Sequence, residues 1–94
     1  MIVTIVYDNL LYRKNLALIS NWGFACLIDT GREIILFDTG AKGNILINNM
    51  NRLDIDPNIT NKIVISHELW DHYGGLKELL LNIENVELYC LEKI

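Results

Sequence analysis

A short, uninterrupted apolar segment between two helical patterns constrains the fold of this chain most strongly. Residues 62–66 (KIVIS) contain a continuous apolar run, 63–65, without alternation, which is typical of a strand buried on both faces of a sheet. Apolar residues recur with helical spacing over 43–53 and again over 74–84, and both segments are predicted helices. The closing segment 86–91 (VELYCL) predicts a last strand. Strands joined through helices imply right-handed crossovers and a parallel section of sheet.

Three further strands are predicted before the first helix. Residues 2–7 (IVTIVY) are apolar and β-branched, as strands favour. Residues 21–29 and 33–38 flank the turn signal Thr30-Gly31-Arg32, which predicts an antiparallel hairpin. The order β-β-β-α-β-α-β makes the expected fold a single α/β domain over residues 1–94 with a mixed sheet. Ligands of such sheets gather at the carboxyl ends of the parallel strands.

The composition excludes several classes of protein. The chain has 94 residues, of which 51% are hydrophobic and 21% charged, with one proline; this is the profile of a globular domain rather than a disordered segment. A net charge of −4 and the lack of any basic cluster beyond Arg13-Lys14 predict no nucleic-acid partner. No apolar run approaches the ~20 residues of a membrane span, and the first residues show no secretory pattern. We therefore expect no membrane association and a cytoplasmic location.

The two cysteines, Cys26 and Cys90, lie far apart, each inside an apolar run. This spacing does not suggest a disulfide framework or a metal clip. Both are expected to be small buried hydrophobes.

Three potential metal ligands directly follow the 62–66 strand. The segment 66–76 reads SHELWDHYGGL and contains both histidines of the chain, His67 and His72, together with Asp71. Imidazole nitrogen and carboxylate oxygen suit zinc, with iron and manganese as alternatives. Each residue alone has a simpler structural explanation: Asp71 as the cap of a turn, His72 as a residue packed against Trp70, and His67 as a polar residue at the end of a strand. The three together predict a working or remnant metal-binding loop.

The same segment resembles the H-x-H-x-D-H loop of the metallo-β-lactamase superfamily, in the form that is followed by Gly-Gly-Leu. The upstream segment 21–46 (NWGFACLIDTGREIILFDTGAKGNIL) is similar to that superfamily's opening hairpin and its aspartate-terminated strand. The most similar branch is the one associated with methanopterin-type cofactor synthesis. The resemblance covers nearly the whole chain. It implies an αββα sandwich of two similar halves, with a one- or two-metal site between them, and this chain corresponds to the amino-terminal half.

The resemblance also implies a role for individual residues. His67 corresponds to the first histidine of the motif, a ligand of the first metal, and Asp71 and His72 correspond to ligands of the second. Asp38 corresponds to the strand-end aspartate that supports the loop without binding a metal. Leu69 stands where the family has its second histidine, and an aliphatic side chain has no lone pair to donate.

The family's remaining ligands have no counterpart among these 94 residues. At most three ligands are therefore divided between two metal positions, whereas a catalytic zinc generally has three protein ligands and a water. We expect a metallohydrolase-like chain that binds zinc weakly and is inactive in isolation. Asp71 would then act in catalysis, orienting the metal or its water, only if a partner completes the site.

Half of a two-sheet sandwich leaves one face of its sheet without cover. We expect this face to carry Leu36, Ile63, Ile65 and Leu88, and to be covered by a second copy of the chain or by a separately encoded second half. Two alternatives remain open at this stage. One is a protein that keeps the fold for interaction without chemistry, and the other is a degenerate gene product.

Residues 37–41 (FDTGA) also resemble the D-T-G-A signature of aspartic peptidases. The retroviral form of that enzyme is a homodimer in which each chain contributes one aspartate to a dyad that shares a proton. This alternative, with Asp38 as the catalytic residue, ranks below the metal site because a helical pattern follows the signature and no glycine-rich flap is evident. D-T-G is also favourable turn chemistry after a strand.

Overall fold

The computed structural model describes residues 1–8, 18–19, 23–66 and 74–90, and its secondary structure follows the predicted order. The strands are β1 (Ile2–Tyr7), β2 (Ala25–Asp29), β3 (Ile34–Phe37), β4 (Lys62–Ile65) and β5 (Glu87–Cys90). The helices are α1 (Gly43–Arg52) and α2 (Leu76–Leu80), with a short 3-10 turn, Pro57–Ile59, between α1 and β4. The predicted α/β class and its element order are confirmed.

All five strands form one sheet, in the order β1-β2-β3-β4-β5. The first three strands pair antiparallel and the last three pair parallel, so the sheet is mixed, as predicted. The hairpin between β2 and β3 turns at Gly31, whose φ of +87° is easily adopted by glycine. Because β3 and β4 are parallel neighbours, their carboxyl ends meet at one edge of the sheet. Asp38 and Ser66 follow these two ends.

One face of the sheet forms the core beneath the two helices. The strand register places Leu27, Leu36 and Ile63 side by side, and all three are buried. Leu46 of α1 and Leu79 of α2 are buried in the same cluster. This face is therefore covered by the chain's own helices.

The prediction that Leu36, Ile63 and Ile65 await a partner is consequently wrong. All three are fully buried, since both crossover helices return over this face. Leu88 shares the row but is 44% exposed, because β5 lies at the edge of the described sheet.

The opposite face, here called the second face, is also apolar and is more exposed. Two rows of paired residues cross it, and both begin on β1, where Val3 and Ile5 are 56% and 51% exposed. The second face comprises Val3, Ile5, Cys26, Ile28, Ile35, Phe37, Val64 and Tyr89, and its row through Ile35 ends in the charged residues Lys62 and Glu87. Its central members are buried or half-buried, whereas its outer ones are exposed.

Three local features differ from expectation. The second helix is shorter than 74–84, because Asn82 bonds back to the carbonyl oxygens of Glu78 and Leu79 and the chain then turns to bury Ile83. Cys26 is buried as predicted, but the prediction for Cys90 is wrong: it lies on edge strand β5 and is exposed. The strand predicted over 21–29 is observed from residue 25.

Among the described helices, none is long and apolar enough to cross a lipid bilayer.

Candidate metal centre

The predicted ligands His67, Asp71 and His72, and the substituted position Leu69, lie outside the described residues. The structure describes both ends of the segment that carries them, Ser66 and Gly74. Within the described ranges, no three His, Cys, Asp or Glu side chains are grouped to hold a metal ion. The ligand assignment stays a prediction, and the observations concern how the ends of this segment are held.

Asp38 fastens the first end. Its side chain is 1% exposed; Oδ1 accepts a hydrogen bond from the Ser66 amide at 2.8 Å, and Oδ2 accepts one from the Ser66 hydroxyl at 2.6 Å. The Asp38 amide donates to the Val64 carbonyl oxygen at 2.8 Å. Its φ of +62° lies in the left-handed region, which aspartate tolerates better than most residues. Asp38 therefore grips the residue immediately before His67.

The second end is attached to the same turn, residues 38–43. The Gly75 amide donates to the Gly40 carbonyl oxygen at 3.0 Å. A β-carbon at Gly75 would lie 3.0 Å from the Gly43 Cα and 3.1 Å from the Thr39 carbonyl oxygen. A side chain at Gly75 would force the neighbouring backbone to shift by a few tenths of an ångström, so glycine favours this close approach. The Gly-Gly pair predicted as part of the motif thus has a packing role at its second member.

Both ends of the 67–73 segment are consequently anchored on the 38–43 turn, at the carboxyl edge of the sheet. A segment closed in this way has already met the entropic cost of bringing its ends together. Partners that orient a ligand-bearing segment also contribute to metal affinity without touching the metal.

The surroundings of Asp38 bear on the peptidase alternative. Its carboxyl group is buried and both oxygens accept hydrogen bonds from Ser66. A catalytic dyad instead needs two carboxyl groups that face one another and share a proton. The geometry of Asp38 is that of a residue that holds a turn and its neighbouring strand.

The sequence did not single out two residues that hold this site. The Ser66 hydroxyl matters because the parallel register of β3 and β4 brings it to Asp38, and residue types alone do not specify that register. Tyr7 packs against the 38–43 turn at Gly40. A β-bulge separates the pairs Ile5–Cys26 and Tyr7–Ala25 and turns Tyr7 toward the helix-covered face. A bulge leaves no clear signal in a six-residue apolar run.

The comparison of sequences gives two curated relatives, and no protein-family model matches the chain. Both relatives are from Methanocaldococcus jannaschii. One is an uncharacterized protein, 36% identical over 80 residues that make up 85% of this chain and 30% of the relative. The other is 7,8-dihydropterin-6-methyl-4-(β-D-ribofuranosyl)-aminobenzene-5′-phosphate synthase, 36% identical over 52 residues, or 55% of this chain and 18% of that protein.

Solved structures similar to this chain include a metallo-β-lactamase and a tRNase. The subclass B3 metallo-β-lactamase MEM-A1, from a soil metagenome library, superposes with a TM-score of 0.61 at 27% identity, covering 71% of this chain and 26% of that chain. The short form of human tRNase Z superposes with a TM-score of 0.64 at 25% identity, covering 86% of this chain and 30% of that chain. The chain spans less than a third of the length of each of these four proteins.

Proposed function

Because this chain belongs to the metallo-β-lactamase superfamily, we propose that it supplies the amino-terminal half of a metal-dependent hydrolase site and does not act as an enzyme alone. The observation that carries the proposal is the double attachment of the 67–73 segment to the 38–43 turn. Ser66 is bound by Asp38 and Gly75 by Gly40, so residues on both sides of the segment that is predicted to carry the ligands are held at the sheet edge.

The donor set of this segment fits a borderline divalent cation. Two imidazoles and one carboxylate suit zinc, with iron and manganese as alternatives. His67 would hold a metal in the first position, and Asp71 and His72 a metal in the second. A metal bound there would supply electrophilic activation of a phosphoester, ester or similar substrate. One relative is named as a synthase of a pterin 5′-phosphate, which supports a substrate that carries phosphate.

The count of donors is the reason for inactivity in isolation. The chain has two histidines, both already assigned, and Leu69 contributes no donor. Three donors over two metal positions leave each below the three protein ligands of a catalytic zinc. The missing donors would come from a second polypeptide segment. Asp71 would then orient the metal or its water, with Asp38 holding the segment in place.

The second face of the sheet supports the need for a partner. Its exposed members Val3, Ile5 and Tyr89 extend an apolar surface of the kind that marks an interaction site. At one side it is bordered by the ion pair between Lys62 and Glu33, 2.9 Å long, as polar rims border interfaces. We propose that a second half, or a second copy of this chain, covers this face.

Zinc titration of the purified chain and of the variant Leu69→His tests the metal site. Restoring the absent imidazole should raise zinc affinity by at least tenfold over the wild type, read by calorimetry. A ligand at a hundredfold excess over its Kd stabilises the folded state by about 2.7 kcal/mol, so the variant should also show the larger thermal shift with zinc.

Leu81→His is the matched control, since it adds a histidine at an exposed position outside the segment. Equal zinc affinity in the two variants would contradict the proposal. If neither the wild type nor either variant binds zinc, the result would favour a protein that uses this fold for interaction alone.

A further inference from the structure

We propose that Tyr7 is a positioning residue for the metal-binding segment, acting through the 38–43 turn on which both ends of that segment are anchored. The expected effect of Tyr7 on metal binding rests on the proposed function. Its structural basis is independent of any metal, because it lies in contacts among described residues.

Tyr7 supports the turn in two ways. Its side chain is 1% exposed, and its hydroxyl oxygen accepts a hydrogen bond from the Lys42 amide at 3.2 Å. The phenol oxygen therefore holds the last backbone amide of the turn, directly before α1.

The ring of Tyr7 also forms the floor under Gly40. A β-carbon at Gly40 would lie 2.5 Å from the ring atoms Cδ2 and Cε2, and the φ of Gly40 is +73°. The backbone of the turn thus rests directly on the ring, which is possible only for glycine. The Gly40 carbonyl oxygen accepts the hydrogen bond from the Gly75 amide. Gly40 therefore both contacts the Tyr7 ring and holds the second end of the segment.

The hydroxyl also satisfies a backbone amide at the start of α1. The N-cap of α1 is Lys42, which makes no side-chain capping hydrogen bond. Its amide is satisfied instead by Tyr7, from the end of β1. Without the hydroxyl this partly buried amide loses its partner, which is costly in a protein interior. The turn would then shift or loosen, and the positions of Asp38 and Gly40 with it.

The test compares Tyr7→Phe with the wild type in the full chain, first without metal, by amide hydrogen exchange. Exchange of the Ser66 and Gly75 amides should be accelerated several-fold in Tyr7→Phe. Tyr89→Phe is the matched control, because it removes an exposed tyrosine hydroxyl that bonds Glu87. Ile83→Val, a small truncation in the buried core, controls for a general loss of stability.

The second measurement is zinc titration of the same variants. Residues that orient ligands from outside the coordination sphere typically change metal affinity by 10–100-fold, so Tyr7→Phe should weaken zinc binding by about tenfold and both controls should leave it unchanged. If exchange and affinity of Tyr7→Phe match those of the controls, the inference is overturned while the metal site stands.

If the wild-type chain binds no zinc, the proposed function fails, and the exchange data alone decide the role of Tyr7. Faster exchange of the Ser66 and Gly75 amides in Tyr7→Phe, but not in the two controls, would still support the role of Tyr7 in stabilising the turn. Unchanged exchange would overturn it.

Discussion

Asp38 both adopts the left-handed backbone conformation that ends β3 and binds the neighbouring strand through its carboxyl group. Its φ of +62° ends β3, and its carboxyl group then points at Ser66, where both oxygens accept hydrogen bonds. Aspartate and asparagine tolerate this conformation, but only aspartate presents two acceptors. The same residue type therefore explains both the sharp end of the strand and the hold on the neighbouring one.

We predict that Asp38→Asn lowers the free energy of unfolding by about 2 kcal/mol, the usual contribution of a hydrogen bond to a charged group. Asparagine retains an oxygen that accepts from the Ser66 amide, and it tolerates the left-handed backbone. The loss of stability therefore measures the contribution of the second carboxylate oxygen, which accepts from the Ser66 hydroxyl. Urea denaturation measures the change. Asp29→Asn, in the exposed hairpin turn where Oδ1 accepts from the Gly31 amide, should cost less than about 0.5 kcal/mol. Equal effects of the two substitutions would contradict this role of Asp38.

At the scale of elements, the two faces of the sheet differ in how far they are buried. Both crossover helices lie over the face that carries Leu36 and Ile63, and these two residues are fully buried. The second face stays more exposed on β1 and β5, the two edges of the described sheet. Among the described residues, the core cluster lies on the helix-covered face. Association through the second face stays a proposal.

We predict that Ile5→Lys disrupts association through the second face. A lysine at this exposed position places a charge in the proposed interface, and the self-association constant should fall by at least tenfold, which equals about 1.4 kcal/mol. Sedimentation equilibrium of the wild type and the variant measures the effect. Ile59→Lys, at a similarly exposed isoleucine in the 3-10 turn, should change nothing. Unaltered association in Ile5→Lys would show that copies of the chain do not meet through this face.

For the molecule as a whole, two buried acidic groups couple stability to alkaline pH. Burial raises the pKa of the Cys26 thiol above its ordinary value of 9.0, and the Asp38 carboxyl group adds to the rise. Burial likewise raises the pKa of Tyr7 above 10.0, opposed by hydrogen bonds from Lys42 and Ala41. As pH rises, the unfolded chain loses these protons first. The folded chain then binds more protons, so the free energy of unfolding falls with pH in this range.

The expected result is full stability from these groups below pH 9.0 and a progressive loss through pH 10.0 and above. Urea denaturation between pH 7 and pH 11 checks it. Cys26→Ala should flatten the first part of the decline, whatever its effect on the free energy of unfolding at neutral pH. A wild-type profile that is flat across this range would contradict the prediction.

The sequence by itself determined the fold class, the order of the elements and the superfamily. Periodicity specifies strand or helix locally, and residues 62–66 between two helical patterns already require a parallel section of sheet. The ligand prediction for His67, Asp71 and His72, and the replacement at Leu69, rest on residue type and spacing alone, and they stay a prediction.

Only the tertiary structure decided which face of the sheet is covered and what holds the site. The two apolar faces of the sheet have similar sequence patterns, and the side on which the helices pack is fixed only in the folded chain. The sequence therefore predicted Leu36 and Ile63 on the uncovered face, whereas they lie on the covered one. The hydrogen bonds from Ser66 to Asp38 and the contact of Tyr7 with Gly40 join residues more than 25 positions apart. Register and a β-bulge create those contacts, and neither is encoded by any one segment alone.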